Sequence, residues 1–279
     1  MMASSFAFTL MGVCIQICAR TLPNGMVVFF RNFSGLVFLS PIVMQGGFAV
    51  LKTSHFKEHV LRGTAGLTSM YCFFYALGHL RLADATLLNY TLPLFIPLVE
   101  AAWLREPMPR KLAWPLILGF LGVVVVLRPG SGLVSEAAGA GLFAGFMSAV
   151  AQTGVRHLTK TEPTVRIVIY FALMGTVLSS FSLPFVWVTP SLATWGVIVL
   201  MGASATAGQL LMTKAYSHAP ASQIGGFVYT GVLFAALMDW LRFGLVPQPL
   251  FFLGALLVMS AGALMFRLAS RANVVLDSE

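Results

Sequence analysis

Residues 112–127 read LAWPLILGFLGVVVVL, a run with no charge and no polar face. A helix that is apolar all round belongs in a protein core or in lipid. The rest of the chain decides between the two. Of its 279 residues, 58% are apolar and only 9% are charged, whereas a soluble domain carries about 25% charged residues. So few charges cannot cover a water-exposed surface. Disorder is excluded as well, because it requires low hydrophobicity and high charge. A membrane β-barrel would alternate outward and inward residues along strands of roughly ten, and these runs do not alternate. The sequence therefore describes an all-α integral membrane protein that crosses the bilayer many times.

Each crossing needs about 20 apolar residues. Turn signals at Pro23-Asn24-Gly25, Gly46-Gly47, Pro107-Met108-Pro109, Pro129-Gly130, Pro190 and Pro247-Gln248-Pro249 divide the chain. Ten transmembrane helices are expected, at 4–19, 25–44, 61–79, 84–104, 111–127, 138–156, 165–187, 192–214, 221–243 and 249–268. Residues 1–19 lack a basic leader and a small-residue cleavage site, so they read as the first span rather than a signal peptide.

With the N-terminus inside, twelve Lys and Arg residues fall on the cytoplasmic side: Lys52, Lys57, Arg62, Arg105, Arg110, Lys111, Arg156, Lys160, Arg166, Lys214, Arg267 and Arg271. Four, Arg20, Arg81, Arg128 and Arg242, fall outside, and Arg31 lies within the second span. The bias places both termini in the cytoplasm. Trp187, Trp195 and Trp240 at outer ends, and Trp103 and Trp114 at inner ends, suit the headgroup level. The net charge of +8 is thus explained by topology, and no nucleic-acid partner is implied. Cys14, Cys18 and Cys72 all lie in apolar runs and form no disulfide framework.

Displaced by 139 residues, the chain resembles itself. Residues 63–100 face 202–239 without a gap, with identities at Gly63/Gly202, Ala76/Ala215, His79/His218, Tyr90/Tyr229, Thr91/Thr230, Leu94/Leu233, Phe95/Phe234 and Leu98/Leu237. Glu100 faces Asp239. At a displacement of 136, Met11/Met147, Gln16/Gln152 and Arg20/Arg156 also pair. The halves are 1–130 and 131–279, five spans each. Five is odd, so the second half enters the membrane inverted. Inverted repeats suit secondary transporters, because two similar halves can exchange conformations and open a shared cavity to either side.

FFRNFSGLVFLSP, FFYALGHLRLADATLLNYTLPLF, LREP and LGFLGVVVVLRPG in the first half, with KAYSHAPAS and FVYTGVLFAALMDWLRFG in the second, resemble the drug/metabolite transporter superfamily in its ten-helix EamA-type branch. The resemblance covers nearly the whole chain. It implies a 5+5 inverted repeat around a central cavity lined by helices 1–4 and 6–9, with helices 5 and 10 peripheral. It also implies a small-molecule substrate: an amino acid-like, nucleotide-derived or other small polar solute. Where the family often has Gly-Glu after helix 9, this chain has Gly244-Leu245.

Polar residues inside spans need a reason, since an unsatisfied group in hydrocarbon costs several kcal/mol. The candidate substrate-binding residues are Gln16, Arg31, Tyr71, Tyr75, Asn89, Tyr90, Gln152, Gln209 and Tyr229. Gln16 and Gln152 either line the cavity from opposite halves or join helices to one another. Tyrosines combine an apolar face with a hydrogen-bonding tip, and Tyr71 and Tyr75, four apart, share a helix face. Arg31 either binds a carboxylate or phosphate or snorkels to the headgroups. Glu100 and Asp239 are candidates for proton coupling, or for interfacial pairs with Arg105 or Arg242. Asp84, at a helix start, suits the helix dipole.

His55, Glu58 and His59 fit the zinc pattern H-x-x-E-H. The segment is a charged connection with no third ligand, so no metal is expected. The absence of G-x-x-x-x-G-K-[ST] argues against ATP hydrolysis. No cofactor is expected either. Gly141 and Gly145 form a small-residue face for close helix packing, in a monomer or a homodimer. The sequence thus points to alternating-access transport of a small metabolite in the inner or plasma membrane. Its rivals are a passive channel and an intramembrane enzyme, and no catalytic constellation within the spans supports the latter.

Overall fold

The computed structural model describes residues 1–46, 51–104, 111, 113–127, 135–218, 230–244 and 249–276. Among them the regular structure is helical, with no strand. In chain order the helices are α1 (Met2–Cys18), α2 (Asn24–Gly46), α3 (Phe56–His79), α4 (Leu82–Asn89), α5 (Leu92–Leu104) and α6 (Ala113–Leu127), followed by α7 (Glu136–Leu158), α8 (Thr164–Ser180), α9 (Leu183–Val186), α10 (Leu192–His218), α11 (Thr230–Phe243) and α12 (Pro249–Leu276).

Four stretches are long and apolar enough to cross a membrane by length and composition: Asn24–Gln45, Leu82–Glu100, Glu136–Leu158 and Leu192–Ala215. Shorter apolar helices include Met2–Cys18, Ala113–Val125, Thr164–Ser180 and Pro249–Leu264. Large apolar side chains such as Trp114, Phe185, Leu192 and Leu256 are exposed on the outside of the bundle, as lipid contact requires.

Helix starts follow the local signals. Pro23 accepts from Met26 N–H and opens α2. Ser135 caps α7, its hydroxyl accepting from Ala138 N–H at 3.3 Å. The segment expected as a cytoplasmic connection before residue 61 is shorter than that, because α3 already begins at Phe56.

Two expected spans are interrupted. The fourth is two helices, α4 and α5, with a break at Tyr90-Thr91. Pro93 has no amide to close onto the Asn89 carbonyl. Thr91 takes the Leu88 carbonyl through both its amide (3.2 Å) and its hydroxyl (2.7 Å), and α5 then restarts with Leu94 N–H on Thr91 C=O. The seventh turns at Phe181-Ser182 before the single turn of α9. The ninth, 221–243, is described only from Thr230.

Helices pack chiefly in the pairs α3 on α7, α1 on α10, α2 on α8 and α6 on α12. The α6–α12 pair packs further on α5. Gly122 brings those two helices together: a Cβ there would lie 2.9 Å from the Gly254 carbonyl and 2.8 Å from Leu257 Cβ. The main core joins Cys14, Ile15, Cys18, Met26, Leu77, Leu82 and Leu87 from the first part of the chain with Ile198, Met201, Val232 and Val258 from the second. Gly141 and Gly145 face this interior. Gly141 sits on Leu88, and a Cβ on Gly145 would lie 2.9 Å from the Leu88 carbonyl and 2.7 Å from Thr91 Oγ1. The small-residue face of α7 is thus filled by the broken helix.

Candidate functional site

The helix break opens onto a chamber of about 180 Å³. Its walls come from the first part of α1 (Ser4 to Gly12), the middle of α3 (Arg62 to Phe74), the α4–α5 break, the end of α7 (Ser148 to Arg156) and the end of α10 (Gln209, Met212), with Arg31 and Phe171 at the side. The far end is plugged by Cys14, Ile15, Cys18, Leu22, Leu77 and Leu82, all fully buried. Backbone that leaves the helical hydrogen-bond pattern is tolerated at membrane depth where it lines such a cavity.

One wall is a connected set of neutral groups. Ser69 and Ser148 hydroxyls lie 2.7 Å apart; Ser69 also reaches the Ala144 carbonyl and Ser148 reaches Asn89 Oδ1 at 3.2 Å. Tyr90 lies flat against α11, where a Cβ on Gly231 would meet its ring and hydroxyl at 2.7 Å. Gln152 Nε2 is 3.6 Å from Met212 Sδ, and Gln209 is buried beside them. Ser4 donates to the Gly208 carbonyl at 2.8 Å, and Thr9 to Ser5 C=O at 2.9 Å.

A second set of lining groups is cationic. The Arg31 and Arg62 guanidiniums both lie over the Phe171 ring, with Cζ 5.3 and 3.7 Å from its centroid. Arg31 is 6% exposed and Arg62 5%. Arg31 donates to the neutral Asn32 side chain at 3.1 Å.

Of the residues expected from sequence, Arg31, Asn89, Tyr90, Gln152 and Gln209 line the chamber. Arg31 therefore does not snorkel. Gln16 stands outside the lining, donating to the Leu80 carbonyl at 3.2 Å. Tyr71 and Tyr75 also stand outside it; Tyr75 stacks on His79 at 4.3 Å, and Tyr71 offers its carbonyl to Asn24 Nδ2. Tyr229 lies outside the described residues.

Glu100 pairs with Arg156 at 2.7 Å, and Arg156 itself lines the chamber; Arg105 lies outside the described residues. Asp239 accepts from the amides of Leu82 (3.3 Å) and Ala83 (2.9 Å). It caps α4, whose first turn also holds Asp84, as the helix-dipole reading expected. The metal-like histidines face apart: His55 meets Glu58 at 3.2 Å, while His59 stacks on Tyr170. No group of three or more ligating side chains gathers among the described residues.

Sequence reasoning missed Arg62. It counted as a cytoplasmic charge, five residues from Lys57 and four from Glu58, yet it is buried in α3. Gly66, one helical turn on, was the available signal: it leaves room for the Arg62–Phe171 stack, and a Cβ there would come within 2.9 Å of Phe171.

Comparison with known proteins follows the same lines. The profile of the EamA-like transporter family matches residues 1–128 and again 136–267. The pseudopaline exporter of Pseudomonas aeruginosa is 32% identical over 263 residues, covering 92% of this chain and 91% of the exporter. A riboflavin transporter of Brucella anthropi is 25% identical, covering 96% of this chain and 97% of its own length. An S-adenosylmethionine uptake transporter of Rickettsia bellii is 25% identical, covering 84% and 81%. A solved crystal structure shares the fold at a TM-score of 0.68, with 18% identity and 97% of both chains covered. These likenesses are to membrane transporters, not enzymes, and with its apolar helices the chain is a multi-pass protein of the inner membrane. It belongs to the EamA-like transporter family.

Proposed function

We propose that this protein is a secondary transporter that carries a small polar or amphipathic metabolite by alternating access. Its halves, 1–130 and 131–279, would be five-helix inverted repeats with both termini in the cytoplasm. The observation that carries this reading is the chamber at the α4–α5 break, bounded by helices of both halves and plugged at one end. Half-broken helices meeting a polar void near mid-span are the usual setting for a transported solute. With the N-terminus inside, the chamber faces the cytoplasm. The relatives named for pseudopaline, riboflavin and S-adenosylmethionine support a small-molecule substrate.

Arg31, Asn89, Tyr90, Gln152 and Gln209 would contact the solute. Gln16, Tyr71 and Tyr75 would join only if the chamber rearranges, and Tyr229 stays a proposed contact from the sequence. Glu100 and Asp239 remain the candidates for proton coupling, each with a partner that protonation would release: Arg156 for one, the α4 amides for the other.

Reconstituted protein tests this. A metabolite library screened by thermal shift supplies ligands, since a ligand stabilises the state it binds. A bound metabolite should then enter proteoliposomes saturably and faster when the same compound is preloaded inside. Flux that never saturates and ignores preloading would identify a channel instead. Tyr90→Ala should lower transport more than it lowers thermal stability.

A further inference from the structure

Two of the chamber's arginines, Arg31 and Arg62, have no anionic partner among the described residues. Arg31 Nε, Arg62 Nε and Arg62 Nη1 are buried and have no hydrogen-bond partner. The ion pairs among the described residues are His55–Glu58, Arg156–Glu100 and Arg166–Glu162, and neither arginine belongs to them. The third chamber arginine, Arg156, is already neutralised by Glu100.

The arrangement is built. Arg62 lies on Phe171 at 3.7 Å, in space kept open by Gly66. Arg31 is held by Asn32, whose amide in turn donates to the Val28 carbonyl at 2.9 Å. Asn32 occupies the notch left by Gly175 on α8. Because both guanidiniums contact one ring, their separation is bounded by the sum of the two ring distances.

A buried cation left unpaired is costly, and an aromatic face offsets only part of that cost. Two of them on one ring repel, so a further group must supply the compensating charge. A guanidinium fork matches carboxylate and phosphate oxygens.

We propose that Arg31 and Arg62 are an anion clamp and that the transported solute carries at least two acidic groups, as carboxylates or a phosphate monoester. The clamp would take the charged end, while Phe73 and Tyr90 take the body and Asn89 and Gln152 its hydroxyls or amines. This rests on the transporter reading above and narrows its substrate class. The same chemistry could come from a free solute or from a lipid headgroup; the clamp opens into the chamber, which favours the solute.

The test uses full-length protein in neutral detergent, with succinate, citrate and glycerol phosphate as dianionic or trianionic probes, and acetate, glycine, glucose and choline as comparators. Succinate, citrate or glycerol phosphate should raise the melting temperature and the comparators should not. Equal or better binding of choline or glucose overturns the clamp on wild-type protein alone, whatever the variants do.

Arg31→Gln and Arg62→Gln should each weaken binding of the dianion about tenfold or more. Arg31→Lys and Arg62→Lys, which keep charge but lose the fork, should fall between. Unchanged affinity in folded Gln variants overturns the proposal. Nanodiscs of phosphatidylglycerol against phosphatidylcholine separate the sources: stabilisation by phosphatidylglycerol with none by free dianions would assign the site to lipid and overturn it. Dianion binding without saturable exchange in proteoliposomes would leave the clamp and remove the transporter reading. Exchange confined to neutral or cationic metabolites would do the reverse.

Discussion

The two ends of the bundle are held in different ways. At the plugged end a single buried carboxylate, Asp239, 3% exposed, is bound to the first two amides of α4. At the chamber mouth the tie is between side chains, Arg156 with Glu100 at 2.7 Å, both more than a third exposed, and the segments before α3 and α8 are joined likewise, Glu162 accepting from Thr53 and from Arg166. A cap on backbone amides cannot be removed without loosening the helix it starts. A side-chain pair can part while both helices stay intact. The ties between side chains are therefore the cheaper ones to break, although Glu100 faces Asp239 when the sequence is displaced on itself by 139 residues.

The sharpest way to break this comparison is Asp239→Ala. It leaves two buried amides unanswered and removes an N-cap contributed from 157 residues away. A loss of about 3 kcal/mol is expected, read as a lower melting temperature in detergent. Asp239→Asn keeps one acceptor and should lose roughly half as much. A variant with wild-type melting would show that the plugged end is held by apolar packing alone.

Gly145 lies where α7 crosses the helix break, between the two ends. Gly145→Val places side-chain carbons against the Leu88 and Asn89 carbonyls, which already lie 2.9 and 3.1 Å from a Cβ. Backbone cannot yield as a flexible side chain does, so about 2 kcal/mol of destabilisation is expected, with reduced solute binding. Gly139, which has open space around it, should accept alanine without loss, and equal effects at the two sites would contradict the close-contact account.

Glu162, between α7 and α8, should respond to acid. Burial alone raises its carboxyl, but the Thr53 hydroxyl, Arg166 and nearby His59 outweigh this and hold it below the ordinary glutamate value of 4.5. A carboxyl lowered on folding contributes stability that is full above 4.5 and is lost as pH falls through its folded value. Glu162→Gln should lower stability by about 1 kcal/mol at neutral pH and flatten the decline below pH 4.5. Parallel acid curves for wild type and variant would show that the carboxylate is not held.

What the sequence made legible follows from range. Helix starts are local, and α1, α2, α7 and α10 begin within two residues of the expected positions. Arg31 stood out because it is alone in an apolar run. The break at Tyr90-Thr91 was passed over because the segment is apolar enough on average to read as one continuous span, although Pro93 and Pro97 lie just after it. Arg62 was hidden by its charged neighbours, which belong to the first turns of the same helix. Asp239 could be flagged as an acid in a span, but its partners are a matter of packing: nothing at 239 reports amides at 82 and 83. Gln16 shows the converse. Its repeat mate Gln152 lines the chamber, while it satisfies a carbonyl at the end of α3 instead, so repeat position alone does not assign a role.

The smallest expected effect belongs to Glu100. Its pair with Arg156 is short, but both side chains meet solvent, and exposed pairs contribute about 0 to 1 kcal/mol. Glu100→Gln should therefore lower stability by less than about 1 kcal/mol, and that small loss should vanish in high salt, where the pair is screened. Its effect on the chamber should be larger than its effect on the fold, because it frees the Arg156 guanidinium at the mouth. Association with a succinate probe should become faster and more salt-sensitive, as expected for an added positive charge at an entrance. If Glu100→Gln and Asp239→Asn instead cost the same stability with the same salt dependence, the contrast between a screened side-chain pair and a buried cap on backbone amides would fail.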